Sequence, residues 1–131
     1  MRIVIYTNIV ISAALSQHGN PAKIISYMTD NDNVQFYYSK SICAEYKKVL
    51  AYERLKISLE IQEKMLNILV ENGILIDPEP EPSDITLPDE TDRIFYDAAK
   101  TNNAYLITGD TKHYPNESFI LTPAQFAALL G

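Results

Sequence analysis

Short runs of Ile, Val and Tyr recur along this chain, and between them lie longer stretches in which apolar residues return at helical intervals. Arg2 to Tyr6 is the first run and reads as a buried strand. Ile9, Ile11, Ser12 and Leu15 follow at helical spacing behind Thr7 or Asn8, either of which can cap a helix. Gly19-Asn20-Pro21 is a break, and Pro21 suits the first position of a second helix that runs to about Thr29 with Ile24, Ile25 and Met28 inward. Asp30 to Asn33 is a turn, and Val34 to Tyr38 is a second strand. A helix starting at Ser39 or Ser41 runs to about Tyr52. Ser58 caps another, with Ile61, Met65, Leu66, Ile68 and Leu69 as its apolar stripe. Gly73 ends it before a third strand, Ile74 to Ile76. Ala104 to Thr108 and Phe119 to Leu121 read as a fourth and fifth strand, and Pro123 opens a last helix to Leu130.

Strands separated by helices pair in parallel, because a parallel connection needs a crossover of a dozen or more residues. The pattern therefore predicts an α/β fold with three layers, α/β/α: a mostly parallel sheet of about five strands with helices on both faces. A chain of 131 residues fills one such domain, spanning 1–131. Asp77 to Glu90 departs from the pattern. Pro78, Pro80, Pro82 and Pro88 alternate there with acids, which excludes a helix or a central strand and predicts an extended crossing loop. A helix follows from about Glu90 to Asn102. Open parallel sheets bind ligands at the carboxyl ends of their strands. That rule directs attention to Tyr6-Thr7-Asn8, to the residues after Tyr38, and to Thr108-Gly109-Asp110.

Composition limits the chemistry. One cysteine, Cys43, excludes an intramolecular disulfide and a cysteine-rich metal centre, and two histidines, His18 and His113, exclude a three-histidine site. A net charge of −6 argues against general electrostatic binding of nucleic acid, so any such chemistry needs a local site. No stretch approaches the ~20 apolar residues of a membrane span. Arg2 and the apolar run to Leu15 have the outline of a signal peptide, but Thr7 and Asn8 interrupt it, and a strand leading into a helix explains the same residues better; the cytoplasm is the expected location. There is no Gly-x-Gly-x-x-Gly or Walker-type loop, which disfavours a nucleotide binder.

Three acids stand out by position. Asp110 follows an apolar strand and Gly109; it is either a turn or capping residue or an acid facing the strand-end crevice. Glu45 sits on its helix beside the apolar stripe of Ile42, Tyr46 and Val49, with Lys47 and Lys48 pointing elsewhere. It is either a boundary residue or an acid needing a partner or a metal. Asp92 opens a helix and shares a face with Tyr96 and Ala99, while Asp97 faces solvent or a supporting contact. Capping accounts for at least one of Asp89, Glu90 and Asp92.

Taken in order, these segments resemble the PIN-domain nucleases. Ile3 to Ala13, with Thr7-Asn8 at its turn, resembles the family's first strand and helix. Glu45-Tyr46-Lys47-Lys48-Val49-Leu50 resembles its second acidic motif, Asp89-Glu90-Thr91-Asp92-Arg93 with Ala98-Ala99 its third, and Leu106 to Asp110 with Lys112-His113 its fourth. Leu121 to Phe126 resembles its closing strand and helix. The likeness is nearest to the toxin members of bacterial and archaeal toxin–antitoxin pairs. It implies a metal-dependent ribonuclease that hydrolyses RNA phosphodiesters, is neutralised by a cognate antitoxin, and forms a homodimer. It also implies Mg²⁺ or Mn²⁺ as cofactor, with Glu45, Asp92 and Asp110 as metal ligands gathered within roughly 4–8 Å of one another. Asn8 would orient the first turn, Thr108 would contact the site, and Asp89 would be a further acid near it.

Position 6 departs from the family, which has an aspartate where this chain has Tyr6. A phenol of pKa ~10 is neutral at pH 7 and a poor ligand for Mg²⁺. Aspartate and tyrosine codons differ by one base, so the change is an easy step for a natural member with altered activity or for a variant selected to silence a harmful nuclease. The resemblance therefore leaves two functions in play: an impaired toxin-type ribonuclease, or a catalytically inactive PIN-fold binding module. Cys43 reads as packing, His113 as a surface-loop residue or a phosphate contact, and Tyr37, Tyr38, Tyr46 and Tyr52 as core or as a partner-binding surface.

Overall fold

The first strand, β1 (Arg2–Ile5), lies in the middle of a five-stranded sheet, which is why Ile3, Val4 and Ile5 are all apolar and fully buried. The computed structural model describes residues 1–131. The strand order is β3 (Gly73–Leu75), β2 (Gln35–Tyr38), β1, β4 (Tyr105–Ile107), β5 (Ile120–Leu121), and every pairing is parallel. Ile3, Val4 and Ile5 pair with Tyr105, Leu106 and Ile107. The chain thus steps outward from β1 to β3, then returns across the sheet to β4. The point where direction reverses lies between β1 and β4, and strand ends diverge there to leave a crevice.

Helices α1 (Thr7–Leu15) and α2 (Asn20–Asp30) connect β1 to β2, and α3 (Lys40–Leu50) and α4 (Leu59–Asn72) connect β2 to β3. Right-handed crossovers place these four on one face. The return crossover reverses direction, so α5 (Arg93–Thr101) packs on the other face against β1 and β4. The last helix, α6 (Pro123–Leu130), packs on α2. The expected three-layer arrangement with an all-parallel sheet is therefore the observed one. Ser39, Ser58 and Thr122 each cap their helix through a side-chain oxygen, with distances of 3.1–3.2 Å.

Local differences have physical causes. Neither Thr7 nor Asn8 caps α1: Tyr6 holds the cap position without a side-chain bond, because the Asn8 amide is used across the sheet. The stretch expected as one helix from Glu90 begins as a 3-10 turn, Glu90–Asp92, before α5. The crossing loop 77–90 is extended as expected and is pinned from both sides. The Arg93 guanidinium donates to the carbonyls of Ser83 and Ile85, and Glu79 accepts from the Ser41 backbone N–H at 2.7 Å and its hydroxyl at 2.8 Å. Asp97 makes a supporting contact, accepting from the Ser83 N–H at 3.1 Å. Of the tyrosines, Tyr46 belongs to the core: it is 1% exposed, and its hydroxyl donates to the carbonyl of Ile5. No helix is long and apolar enough to cross a membrane.

Candidate active site

A cleft of about 600 Å³ opens at the carboxyl ends of β1 and β4. Its floor comes from the turn after β1 (Tyr6, Thr7, Asn8) and from Asp110 after β4. One wall is the last two turns of α3 and the turn that follows, with Glu45, Lys48, Tyr52 and Arg54; the other is the start of α5, with Asp89, Asp92 and Phe95. The expected acids Glu45, Asp92 and Asp110 thus share one cleft, although they are 18 to 65 positions apart in sequence. A larger hollow, about 710 Å³, lies at the opposite edge of the sheet among Arg2, Gln35, Lys100 and Tyr105, and its one acid is Glu117. It has no comparable set of carboxylates.

Asp92 is the buried member, with 1% exposure. Its Oδ1 accepts the Tyr6 hydroxyl at 2.6 Å, and its backbone carbonyl accepts the Tyr114 hydroxyl at 3.1 Å. Its Oδ2 faces His113 Nδ1 at 3.3 Å, and neither of these buried atoms has a well-directed hydrogen bond. Burial pushes the Asp92 carboxyl above the usual range, opposed by the Tyr6 hydrogen bond and by the charge of His113. His113 is thus a loop residue, its side chain 44% exposed, that lies off the cleft lining and turns its Nδ1 onto Asp92.

Tyr6 is boxed by aromatic rings. Phe95, Tyr114 and His113 meet it edge-on, with centroids 5.1, 6.1 and 6.4 Å away. Burial, then the bond to Asp92, then the charges of Asp92, Asp110 and Asp89 all raise its pKa far above that of a free phenol. Tyr6 is consequently a neutral donor at any ordinary pH.

Asp110 is held from two directions. Asn8 Nδ2 donates to Asp110 Oδ2 at 3.2 Å, and the Asp110 N–H donates to Thr108 Oγ1 at 3.0 Å. Asn8 thus ties the β1 turn to the β4 turn. Thr108 is fully buried and supports Asp110 from behind rather than lining the cleft. Glycine at 109 permits this approach, since a Cβ there would stand 2.9 Å from Asn8 Nδ2. Asp89 serves as the cap: its carboxylate accepts from the Thr91 N–H and hydroxyl, at 2.9 and 2.8 Å, and these bonds hold its pKa low. Lys48 does not point elsewhere. Its Nζ lies 3.8 Å from Glu45 Oε2, because residues three apart on a helix are neighbours, and it lines the same cleft.

The donor set was expected to gather closely around an ion, and here it does not. No three His, Cys, Asp or Glu side chains stand together in a group able to hold a metal. Asp92 is occupied by Tyr6 and His113, Asp110 by Asn8, and Glu45 faces Lys48. The residues as they stand do not fit a divalent cation: position 6 offers a neutral phenol, and each acid is engaged by a neighbour within the chain.

The PIN domain family model matches residues 2–112, most of the chain. The chain belongs to the PIN-domain family. An uncharacterised protein of Methanocaldococcus jannaschii is 30% identical over 111 residues, covering 84% of this chain and 71% of that protein. Among solved structures, the fold is similar to a chain in the crystal structure of VapBC2 from Rickettsia felis bound to a DNA fragment from their promoter. The TM-score is 0.61 at 16% identity, over 93% of this chain and 97% of that one. At that identity the likeness is one of fold. This PIN domain has a cleft at the sheet's switch point with a tyrosine in it.

Proposed function

We propose that this chain is a toxin-type PIN protein built on the plan of a metal-dependent ribonuclease, with Tyr6 holding its hydrolytic centre shut. Phosphodiester hydrolysis of RNA by the chain as it stands is then very weak. The observation that carries this reading is the 2.6 Å hydrogen bond from Tyr6 to Asp92, inside the cleft that also collects Glu45 and Asp110. Asp92 is the acid most removed from water, and its nearest oxygen is committed to a phenol where the family has a carboxylate. With aspartate at position 6 the donor set becomes four carboxylates, the kind of oxygen-rich site that suits Mg²⁺ or Mn²⁺.

The Rickettsia felis neighbour is a VapBC2 complex, which supports a cognate antitoxin as protein partner. A homodimer is supported by apolar residues left exposed on α4 and β3, namely Leu59, Ile61, Val70, Ile74 and Leu75. The test is RNA cleavage by the chain and by Tyr6→Asp, each with and without Mn²⁺. The expected result is cleavage by Tyr6→Asp alone, and only with Mn²⁺. If Tyr6→Asp changes neither the response to Mn²⁺ nor cleavage, the reading fails. The alternative, a catalytically inactive PIN-fold binding module, then stands.

A further inference from the structure

The cleft holds two cations as well as its acids, and they are not scattered. Lys48 and Arg54 both lie on the α3 side, on the last turn of that helix and on the 3-10 turn Glu53–Leu55, with Glu45 beside Lys48, while Asp89, Asp92 and Asp110 belong to the opposite wall and the floor. Arg54 forms no ion pair with any carboxylate of the chain. Its guanidinium instead stands over the Tyr52 ring, 5.3 Å from the centroid. An exposed arginine on a protein of net charge −6 has many acids to choose from, so an unpaired one laid on an aromatic ring within a cleft is informative. This cation–π contact uses no N–H in an ion pair, so the guanidinium keeps donors for a phosphate. Tyr52, half-buried, lines the same cleft, and an aromatic ring there can stack a nucleobase of any kind.

We propose that Lys48, Tyr52 and Arg54 form a wall that binds single-stranded RNA, phosphate on the cations and a base on the tyrosine, without a metal ion and without cleavage. The choice of RNA rests on the function proposed above; the binding itself does not depend on the hydrolytic centre. A single strand is required because a base paired in a duplex has no face free to stack on Tyr52. Glu45 stands on this wall too, 3.8 Å from Lys48, but Tyr6, Asp92 and Asp110 do not, so closure of the centre by Tyr6 leaves the wall intact.

The experiment measures fluorescence anisotropy of a labelled ten-nucleotide RNA, single-stranded or annealed to its complement, in EDTA over a series of salt concentrations. The full chain is compared with Arg54→Ala, Tyr52→Ala, Tyr52→Phe and the control Lys64→Ala, which lies away from the cleft, each checked for folding by its melting curve. The expected result is binding of the single strand in preference to the duplex. Arg54→Ala and Tyr52→Ala each weaken it about tenfold, and Tyr52→Phe and Lys64→Ala stay within about twofold. Arg54→Ala also lowers the slope of log affinity against log salt by about 0.7, the signature of one lost phosphate contact on a single strand. Equal affinity for the duplex, or wall variants that bind like the parent, overturns the proposal. So does absence of binding in EDTA, even if Tyr6→Asp cleaves RNA with Mn²⁺. Conversely, wall-dependent binding with no cleavage by Tyr6→Asp upholds the wall and refutes the ribonuclease plan.

Discussion

Replacing Tyr6 with phenylalanine removes one oxygen and keeps the ring against Phe95 and Tyr114. The bond lost runs from a phenol to a carboxylate at 2.6 Å, and the Asp92 side chain that accepts it is 2% exposed. Hydrogen bonds to charged groups contribute about 1.5–3 kcal/mol, and a buried acceptor left unpaired carries a desolvation cost of similar size, so a loss of about 2 kcal/mol is expected. At about 2.1 cal/mol/K of unfolding entropy per residue, a chain of 131 residues should melt about 7 °C lower. The pH dependence has a definite sign. Tyr6 favours the charged form of Asp92, so its removal lets burial raise the Asp92 pKa further. The stability that the bond adds is fully present above the Asp92 pKa of the variant and shrinks as pH falls through that of the parent. Melting curves of the two proteins by circular dichroism, from pH 8 downward, should show the widest gap at the alkaline end. A gap under 2 °C at pH 8, or one that stays constant into acid, would refute the claim that Tyr6 is bonded to an ionised, buried Asp92.

Tyr6→Asp in EDTA should melt lower than Tyr6→Phe, because a further carboxylate joins Asp92, Asp110 and Asp89, whose charges already act on position 6. Excess Mn²⁺ should then raise its stability by about 2.7 kcal/mol at a hundred times Kd and leave the parent unchanged, as read by melting temperature. Glu79→Gln should lose under about 1 kcal/mol, since the residue is exposed. The Ser41 N–H and hydroxyl hold the Glu79 pKa below its ordinary value, so its contribution is present above the unfolded pKa and lost as pH falls through the folded one. Urea midpoints of parent and variant should therefore converge in acid. Arg93→Ala releases the carbonyls of Ser83 and Ile85, and limited proteolysis should cut within residues 77–90 several-fold faster than in the parent.

The layered architecture was legible because periodicity is a local property. An unbroken Ile-Val-Ile run announced a central strand, alternation with helical patterns announced parallel pairing, and the four prolines between Asp77 and Glu90 announced an extended return. Ser39 and Ser58 were readable as caps because a cap acts on a residue three positions away. Capping failed at Thr7 and Asn8 for the opposite reason: Asn8 finds its partners at Gly109 and Asp110, more than a hundred residues on. The same limit hid the contact of His113 Nδ1 with Asp92 and the place of Lys48 and Arg54 on a cleft wall.

By itself, then, the sequence determined the elements, their parallel pairing, and the candidacy of acids that follow strands or open helices. It also determined the departure at Tyr6. Tertiary structure alone decided what each candidate touches. The return of the chain from β3 to β4 brings residue 6 beside residues 92 and 108, and the register of Ile5 with Ile107 sets the two turns side by side. A carboxylate's charge, burial and freedom to take a ligand depend on neighbours from three separate crossovers. Those neighbours are fixed by strand order, which no local pattern encodes, and for that reason a tyrosine that reads in sequence as a missing ligand is, in the fold, the hydrogen-bond donor that occupies Asp92.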